Sequence, residues 1–545
     1  MAANQYDAIV VGAGHNGLVA AGYLSRAGLR VLVLERRPDV GGPCGRVEYF
    51  PGYFGAITNS PGSLEPKIVQ DMELERFGLR FTRPDPLLIT PFEDGRAFCA
   101  WRDKAKSVEE LKKFSEHDSV AYYEFFEYLE WFARRLRISL FAPPPSFKTL
   151  VSRLETLEEE EAFSKIFFGS IRDMLDERLE SEQVKSLIAA LSCVSNFLGP
   201  STPGTPYMML QRPLSLASMQ AVDPNDPRRQ AMRGSTGLPI GGMGSITDSM
   251  RRSIEAYGAV VRTNADVVSV IVKNDAVCGV ALAGGEEFYA PIVVSNLNPK
   301  LTLLKLLDPF PGDPALKKRI EKLKMRGSAF KVALALDGMP RFLAAQNDEH
   351  ARLLAGCQFR YSPSIEYMDR AYDDAKYGAP SKRPIIWGLT PSANDPTVAP
   401  PGKHVMSINI FHAPRDLREG NWTDLRETYG KQCIDQMCEF IPNLKDIITD
   451  VRYWSPQDFE EEYGLLESNI THGDMVPTKL FSFRPIAGMS DYRGPVAGLY
   501  MCGSGTFPGG FVTGLPGHNA SHEVLKDLAA TGGKIADLPA KAAAL

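Results

Sequence analysis

Gly12, Gly14 and Gly17 stand at G-x-G-x-x-G spacing, and an acid, Glu35, follows 23 residues after the first of them. Glycines so placed let a backbone turn tightly and approach a pyrophosphate, whose charge is met by free N–H groups and the positive end of a helix. A carboxylate at the tip of the following strand accepts hydrogen bonds from a ribose diol. The chemistry indicated is the grip on a dinucleotide. The spacing alone is weak evidence, so its context decides. Tyr6 to Val11 reads as a short apolar strand, LVAAGYLSRA repeats small and apolar residues at helical spacing, and Gly28 closes that helix. RVLVLE is then a second strand that ends in Glu35. An incidental glycine-rich turn would not explain an acid in that register.

The next residues select among dinucleotides. Arg36 follows the acid, and the pair Gly41-Gly42 begins six residues after it. Paired glycines let the chain pass close to a ribityl–pyrophosphate, which a nicotinamide site does not require, so the reading is FAD. The far end of the chain answers the near end. Residues 498–520 (GLYMCGSGTFPGGFVTGLPGHNA) read as a strand, a Gly-Ser-Gly turn at 503–505 and a helix beyond Gly514. Amides at such a junction suit the N1–C2=O edge of a flavin, where charge develops on reduction. Between the two, 237–272 reads as a loop, an amphipathic helix ended by Gly258 and two strands. A meander follows, with turns at Asn274-Asp275 and Gly284-Gly285, before VVSNLNP (293–299) returns the chain to the cofactor region.

Composition bounds the rest. With 545 residues and 44% hydrophobic content the chain should make two or three compact units. A net charge of −5 offers no general attraction to phosphate backbones, so no nucleic-acid partner is expected. The eight cysteines include no C-x-x-C pair, which argues against a dithiol centre and a zinc ribbon; Cys433 and Cys438 read as helix packing. The cysteines fit a reducing compartment. No apolar run reaches the roughly 18 residues of a membrane span. The strand entered at Tyr6 leaves no room for a leader, so a cytoplasmic protein is expected, with peripheral membrane contact left open.

Three stretches together carry a resemblance. YDAIVVGAGHNGLVAAGYLSRAGLRVLVLERR at the start, FEEEYGLLESNITHGD at 459–474 and FSFRPIAGMSDYRGPVAGLYMCGSGTFPGGFVTGLPGHNA at 481–520 resemble the phytoene desaturase/carotenoid isomerase branch of the amine oxidase superfamily. Within that branch they resemble the pyridine nucleotide-disulphide oxidoreductase domain-containing protein 2 group. The likeness spans nearly the full length and thins between about 100 and 230. It implies an α/β fold: a Rossmann-like FAD domain of the glutathione-reductase/amine-oxidase type, assembled from 1–65, 235–305 and 490–545. A discontinuous α+β substrate domain would use 66–234 and 306–489. The resemblance also implies FAD contacts at Gly12, Gly14, Asn16, Gly17, Glu35, Arg36, Gly41, Gly42, Val267, Gly503, Ser504 and Val512. Two departures stand out: Pro43-Cys44 after the glycine pair, where relatives often have small or basic residues, and Phe507 where relatives often carry His.

Flavin chemistry asks little of the protein beyond a substrate C–H held over N5, exclusion of water and sometimes a base. His472 in NITHGD is the first candidate for acid/base or orienting work. Asn59, with Thr58 and Ser60, is the second, as a group approaching the isoalloxazine. The competing readings are structural: His472 capping the Gly473 turn, 58–60 capping a helix before PGSLEP, and an Asp474–Arg484 salt bridge supporting its loop. Tyr492 and Arg493 read as structural. His518 and His522 lie four apart, as metal ligands can, but no carboxylate or Cys pattern completes a site and no metal is expected. AYYEFFEYLEWFARRLRISLFAPPPSF (121–147) has aromatics all round, which predicts a buried core helix ending at Pro143–Pro145. A lipophilic channel, a membrane face or a subunit contact in a homo-oligomer are its other readings.

The function expected is an FAD-dependent dehydrogenase, desaturase or oxidase that moves a hydride from a largely apolar small-molecule substrate to flavin N5, with oxygen or a quinone as electron acceptor. The alternatives are a flavin-dependent redox-neutral double-bond isomerase and a non-catalytic GDP-dissociation-inhibitor-like lipid-binding protein. Intact Gly12, Gly14, Gly17 and Glu35 weigh against the last.

Overall fold

The computed structural model describes residues 4–58, 63–193, 196–219, 236–327 and 329–532. The strands Ala8–Val11 (AIVV) and Val31–Leu34 (VLVL) are buried at every position. Continuous apolar character on both faces requires a sheet covered on both sides, which parallel sheets are. The two strands pair in parallel, Ala8 opposite Val31 through Val11 opposite Leu34. The helix His15–Arg26 makes the crossover. The completed sheet has five parallel strands in the order Leu499–Met501, Val293–Ser295, Ala8–Val11, Val31–Leu34, Val260–Arg262. Widely separated parts of the chain therefore share one sheet, and all its carboxyl ends emerge along one edge, where open α/β sheets bind ligands.

Helices Gly244–Ala256 and Leu515–Ala530 pack with His15–Arg26 on one face of that sheet. An antiparallel meander of Val267–Lys273, Ala276–Leu282 and Glu287–Tyr289 covers the other. The first turn of the meander falls at Asn274-Asp275, where both residues have positive φ (53° and 59°), as the tight hairpin turn matching strand twist requires.

A second sheet of seven strands runs Ile448–Trp454, Phe330–Leu336, His404–Ile410, Ile386–Leu389, Gln358–Tyr361, Leu88–Pro91, Ala97–Ala100. It is antiparallel except where Gln358–Tyr361 meets Leu88–Pro91. A layer of helices between 104 and 219 packs beside it. The helix Glu116–Leu136 starts at Ser115, whose side chain accepts from the Asp118 N–H. It stops well short of Pro143. Arg137 enters the left-handed region at φ 50°, and the Arg153 guanidinium donates to the carbonyls of Leu136 and Arg137 at 2.7 and 2.9 Å, satisfying acceptors that another turn would have used. Its burial is also one-sided, against the expectation from its aromatics: Phe125, Leu129, Phe132 and Leu136 face the core, while Val120 is 59% exposed. No described helix is long and apolar enough to cross a membrane. All eight cysteines are free, and Cys433 is packed in the core.

Candidate functional site

At the carboxyl edge of the five-stranded sheet, Gly12 turns the chain with φ 93°. A Cβ on Gly17 would sit 2.2 Å from the Gly12 carbonyl oxygen, so only glycine lets the helix close on that turn. The helix N-terminus carries no side-chain cap. Glu35 is buried, and its two carboxylate oxygens accept from the N–H groups of Ala13 at 2.8 Å and Arg37 at 3.0 Å. Burial raises its carboxyl above the usual range despite those bonds.

Gly12 and Glu35 border a cleft of about 150 Å³ that also touches Gly14, Arg36, Gly42, Val267, Asn296 and Asn298. The cleft runs on into a pocket of about 80 Å³ lined by Asn16, Gly41, Thr58, His472, Ser504, Phe511 and Val512. Gly14, Pro43, Asn296, Leu465 and His472 belong to both walls. Ten of the twelve cofactor positions expected from sequence thus line one continuous groove. The other two sit behind it: Gly17 under the turn, and Gly503 where a Cβ would lie 2.7 Å from the Asn296 carbonyl oxygen. Asn59 lies outside the described residues.

His472 is half-buried at φ 53°, and its buried Nδ1 has no hydrogen-bond partner among the described residues. Burial, with Arg484 and His15 nearby, holds its imidazole down to about 4, so it is neutral at ordinary pH. It does not cap the Gly473 turn. Asn469 does, its Oδ1 accepting from the N–H groups of Thr471 and Gly473 at 2.9 and 3.0 Å. The expected Asp474–Arg484 salt bridge is also corrected. The Asp474 carboxylate pairs with Lys479 at 3.0 Å, and Arg326 lies 3.7 Å away. The Arg484 guanidinium instead donates to backbone carbonyls of Thr471 and Ser504 (2.6 Å each), Asp474 (3.1 Å) and Thr506 (3.3 Å). A planar cation with five donors can tie two loops together in a way a single carboxylate could not use.

Beyond Phe511, whose φ is 66°, lies a larger cavity of about 180 Å³. Its walls are mostly apolar, among them Leu88, Phe98, Tyr122, Phe126, Leu187 and Met208, with Glu65, Glu130, Gln211, Arg212, Ser215 and Arg360 among the polar members. Phe511 belongs to the walls of both this cavity and the groove.

The groove has the chemistry of a polar ligand. His15 Nε2, Asn16 Oδ1, Asn298 Nδ2 and His472 Nδ1 are buried along it without partners among the described residues. Leaving each so costs on the order of 1–3 kcal/mol, which a bound molecule would offset. Glu35 is set for a ribose, the glycine turn for a pyrophosphate, and the 503–512 junction for a ring system, so the residues present fit FAD.

Comparison with known proteins agrees. The family model described as "Flavin containing amine oxidoreductase" matches residues 17–517. The chain belongs to that family. It is 33% identical to "Pyridine nucleotide-disulfide oxidoreductase domain-containing protein 2" of Rattus norvegicus, over 96% of this chain and 94% of that protein. It is 27% identical to a limonene dehydrogenase polypeptide of Castellaniella defragrans, over 96% and 95%. It is 24% identical to "Phytoene desaturase (lycopene-forming)" of Pseudescherichia vulneris, over 95% and 98%. The fold is shared with the crystal structure of an oxidoreductase from Methanosarcina mazei, with a TM-score of 0.61 at 18% identity over 95% of this chain and all of that one. The protein is an FAD-dependent oxidoreductase of the amine oxidase superfamily, and the reading as a non-catalytic escort is set aside.

Within this flavoprotein several site residues escape a sequence reading. His15 occupies a variable position of the glycine motif and has no signal of its own, yet it lines the groove half-buried, with its imidazole held down to about 4. Segment 463–465 forms a wall, held by Arg36 and Arg37, which donate to the Glu462 carbonyl at 3.0 and 3.1 Å, with Arg37 over the Tyr463 ring. Away from the groove, in the second sheet, Lys331 is buried mid-strand, its ammonium 2.7 Å from Ser407 Oγ, and burial lowers its pKa well below the ordinary value. Of the two sequence departures, Pro43 lines the groove, whereas Phe507 is buried against Phe481. His518 and His522 stack at 3.9 Å, and Tyr492 hydrogen-bonds the Phe507 carbonyl.

Four histidines, His15, His412, His472 and His518, are held down to about 4 by burial. Unfolded, each takes a proton near pH 6.5. Between those limits the unfolded chain binds more protons, so this stability is complete above pH 6.5 and is lost as pH falls toward 4. The urea midpoint should drop steeply from pH 6.5 to 4.5, and His472→Gln should make the drop shallower. A midpoint that holds or rises on acidification would contradict these burials.

Proposed function

We propose that this flavoprotein dehydrogenates a largely apolar organic molecule bound in the aromatic cavity beyond Phe511. The observation that carries the reading is the shared wall: Phe511 borders both the ring end of the groove and the apolar cavity. An apolar cavity opening on such a groove is where a substrate C–H meets a flavin. The names of two relatives, for limonene and phytoene, support an apolar substrate class.

Bound FAD supplies a hydride acceptor at its isoalloxazine N5. The chain's own residues hold and shield it. Glu35 receives the ribose hydroxyls, the amides from Gly12 onward and the helix N-terminus receive the pyrophosphate, and Val267 meets the adenine. Asn16, Ser504, Val512 and neutral His472 orient the ring end, and the 463–465 wall keeps water out. His472 offers a hydrogen bond and no charge at neutral pH. In this reading 1–65, 235–305 and 490–545 form the FAD domain, and 66–234 with 306–489 the substrate domain. Electrons leave to oxygen or a quinone, in a cytoplasmic protein that makes at most peripheral membrane contact.

The test is an anaerobic titration with monoterpene and longer terpenoid compounds while the visible spectrum is recorded. Stoichiometric loss of the oxidised-flavin band, restored by oxygen or a quinone, is expected. A band indifferent to every apolar compound would overturn the reading; rearranged product with no net bleaching would assign the isomerase chemistry instead.

A further inference from the structure

We infer that the cavity beyond Phe511 selects an apolar molecule carrying one hydrogen-bond-donating group, a hydroxyl or a protonated amine, and that Glu65 receives that group. The inference rests on reading this cavity as the substrate site.

Glu65 is 2% exposed and lines the cavity. One carboxylate oxygen accepts from Ser215 Oγ at 2.8 Å. The other is buried with no hydrogen-bond partner among the described residues. The side chain of Glu65 makes no cap bond to the helix Pro66–Asp71 that follows it. The fold therefore makes little use of a group whose burial is costly. Burial raises its carboxyl to about 7, against the pull of Arg212 and Ser215, as is common where a carboxyl serves a ligand.

Position adds direction. The Glu65 N–H donates to the Thr513 carbonyl at 3.2 Å, and the Val512 N–H donates to Ser63 Oγ at 3.2 Å. Residue 65 is thus tied to the segment that carries Phe511, the residue shared by the cavity and the groove. A donor group bound there would bring its own carbon toward that groove, with the apolar remainder against residues such as Leu88 and Met208.

The experiment uses the FAD-loaded protein and calorimetric titration with three probes of one size: 1-octanol, octylamine, and heptyl methyl ether, which lacks a donor. Alcohol and amine should bind at least about tenfold more tightly than the ether, the discrimination expected when a buried acceptor is otherwise left unpaired. Glu65→Leu should erase that preference while ether binding and the flavin spectrum stay as they were. Should E65L fail to fold, Glu65→Gln serves: its amide keeps an acceptor for the alcohol but loses the advantage of the amine. Equal binding of all three probes, binding of none, or a preference that survives in E65L overturns the inference. Donor preference without flavin bleaching by any apolar substrate would instead leave it standing and remove the dehydrogenase reading.

Discussion

Replacing Gly14 with valine yields a folded protein that purifies without yellow colour. Gly14 sits at φ −67° and ψ 165°, a region open to any residue, so the backbone accepts the change. An added Cβ would lie 2.6 Å from Asn296 Nδ2, the end of a side chain that can swing aside. What cannot move aside is the ligand. Gly14 borders both parts of the groove, and a branched side chain there occupies the space through which the pyrophosphate must meet the helix N-terminus. Losing those contacts should weaken FAD retention about a hundredfold or more, on the order of 3 kcal/mol. Pigment released by heat and measured per chain, with circular dichroism as the folding check, reads this directly. Gly17 makes the contrast: a side chain there meets the backbone oxygen of Gly12, so Gly17→Val should fail to fold. A G14V protein as yellow as the parent would contradict the assignment of the turn.

Arg484→Ala should cost about 3–5 kcal/mol of stability, among the largest effects available to a single substitution here. The guanidinium is buried and held down to about 10 by that burial, yet it remains charged at neutral pH. Its partners are backbone carbonyls on two loops, 471–474 and 504–506. Truncation leaves those oxygens buried and unpaired and opens a hole between the loops. Both loops contribute groove residues, His472 from one and Ser504 from the other, so FAD retention should fall as well. Arg484→Lys should recover only part of the loss, because an ammonium with three donors cannot span the same set of acceptors. Denaturant unfolding of the two variants, with and without added FAD, checks this; a loss under 1 kcal/mol for R484A would show the hub to be dispensable.

What the sequence discloses and what it hides follow from how local each constraint is. Gly12, Gly14, Gly17, Glu35 and the Gly41-Gly42 pair answer to backbone geometry within a few residues, so they leave a mark in a linear string. The meander turn at Asn274-Asp275 is readable for the same reason. Arg484 misleads because ten residues from Asp474 an ion pair is the natural guess; that the cation spreads over carbonyls depends on loops brought together only by the tertiary fold. The early end of the helix Glu116–Leu136 depends on Arg153 reaching back across 17 residues. Glu65 meets Ser215 across 150 residues, and no local pattern could announce that cavity. His472 is legible as a residue able to titrate, but its neutrality comes from burial beside His15 and Arg484, which sequence does not report.

That backbone from near both ends of the chain closes on a single adenine–flavin molecule is tested most directly by the amount of FAD per chain. It is taken in folded protein after exhaustive gel filtration and, for any colourless fraction, after incubation with FAD. One FAD per chain is expected. Folded protein that carries none and takes up none from solution would contradict the closure of residues 12–42 and 503–512 on the cofactor.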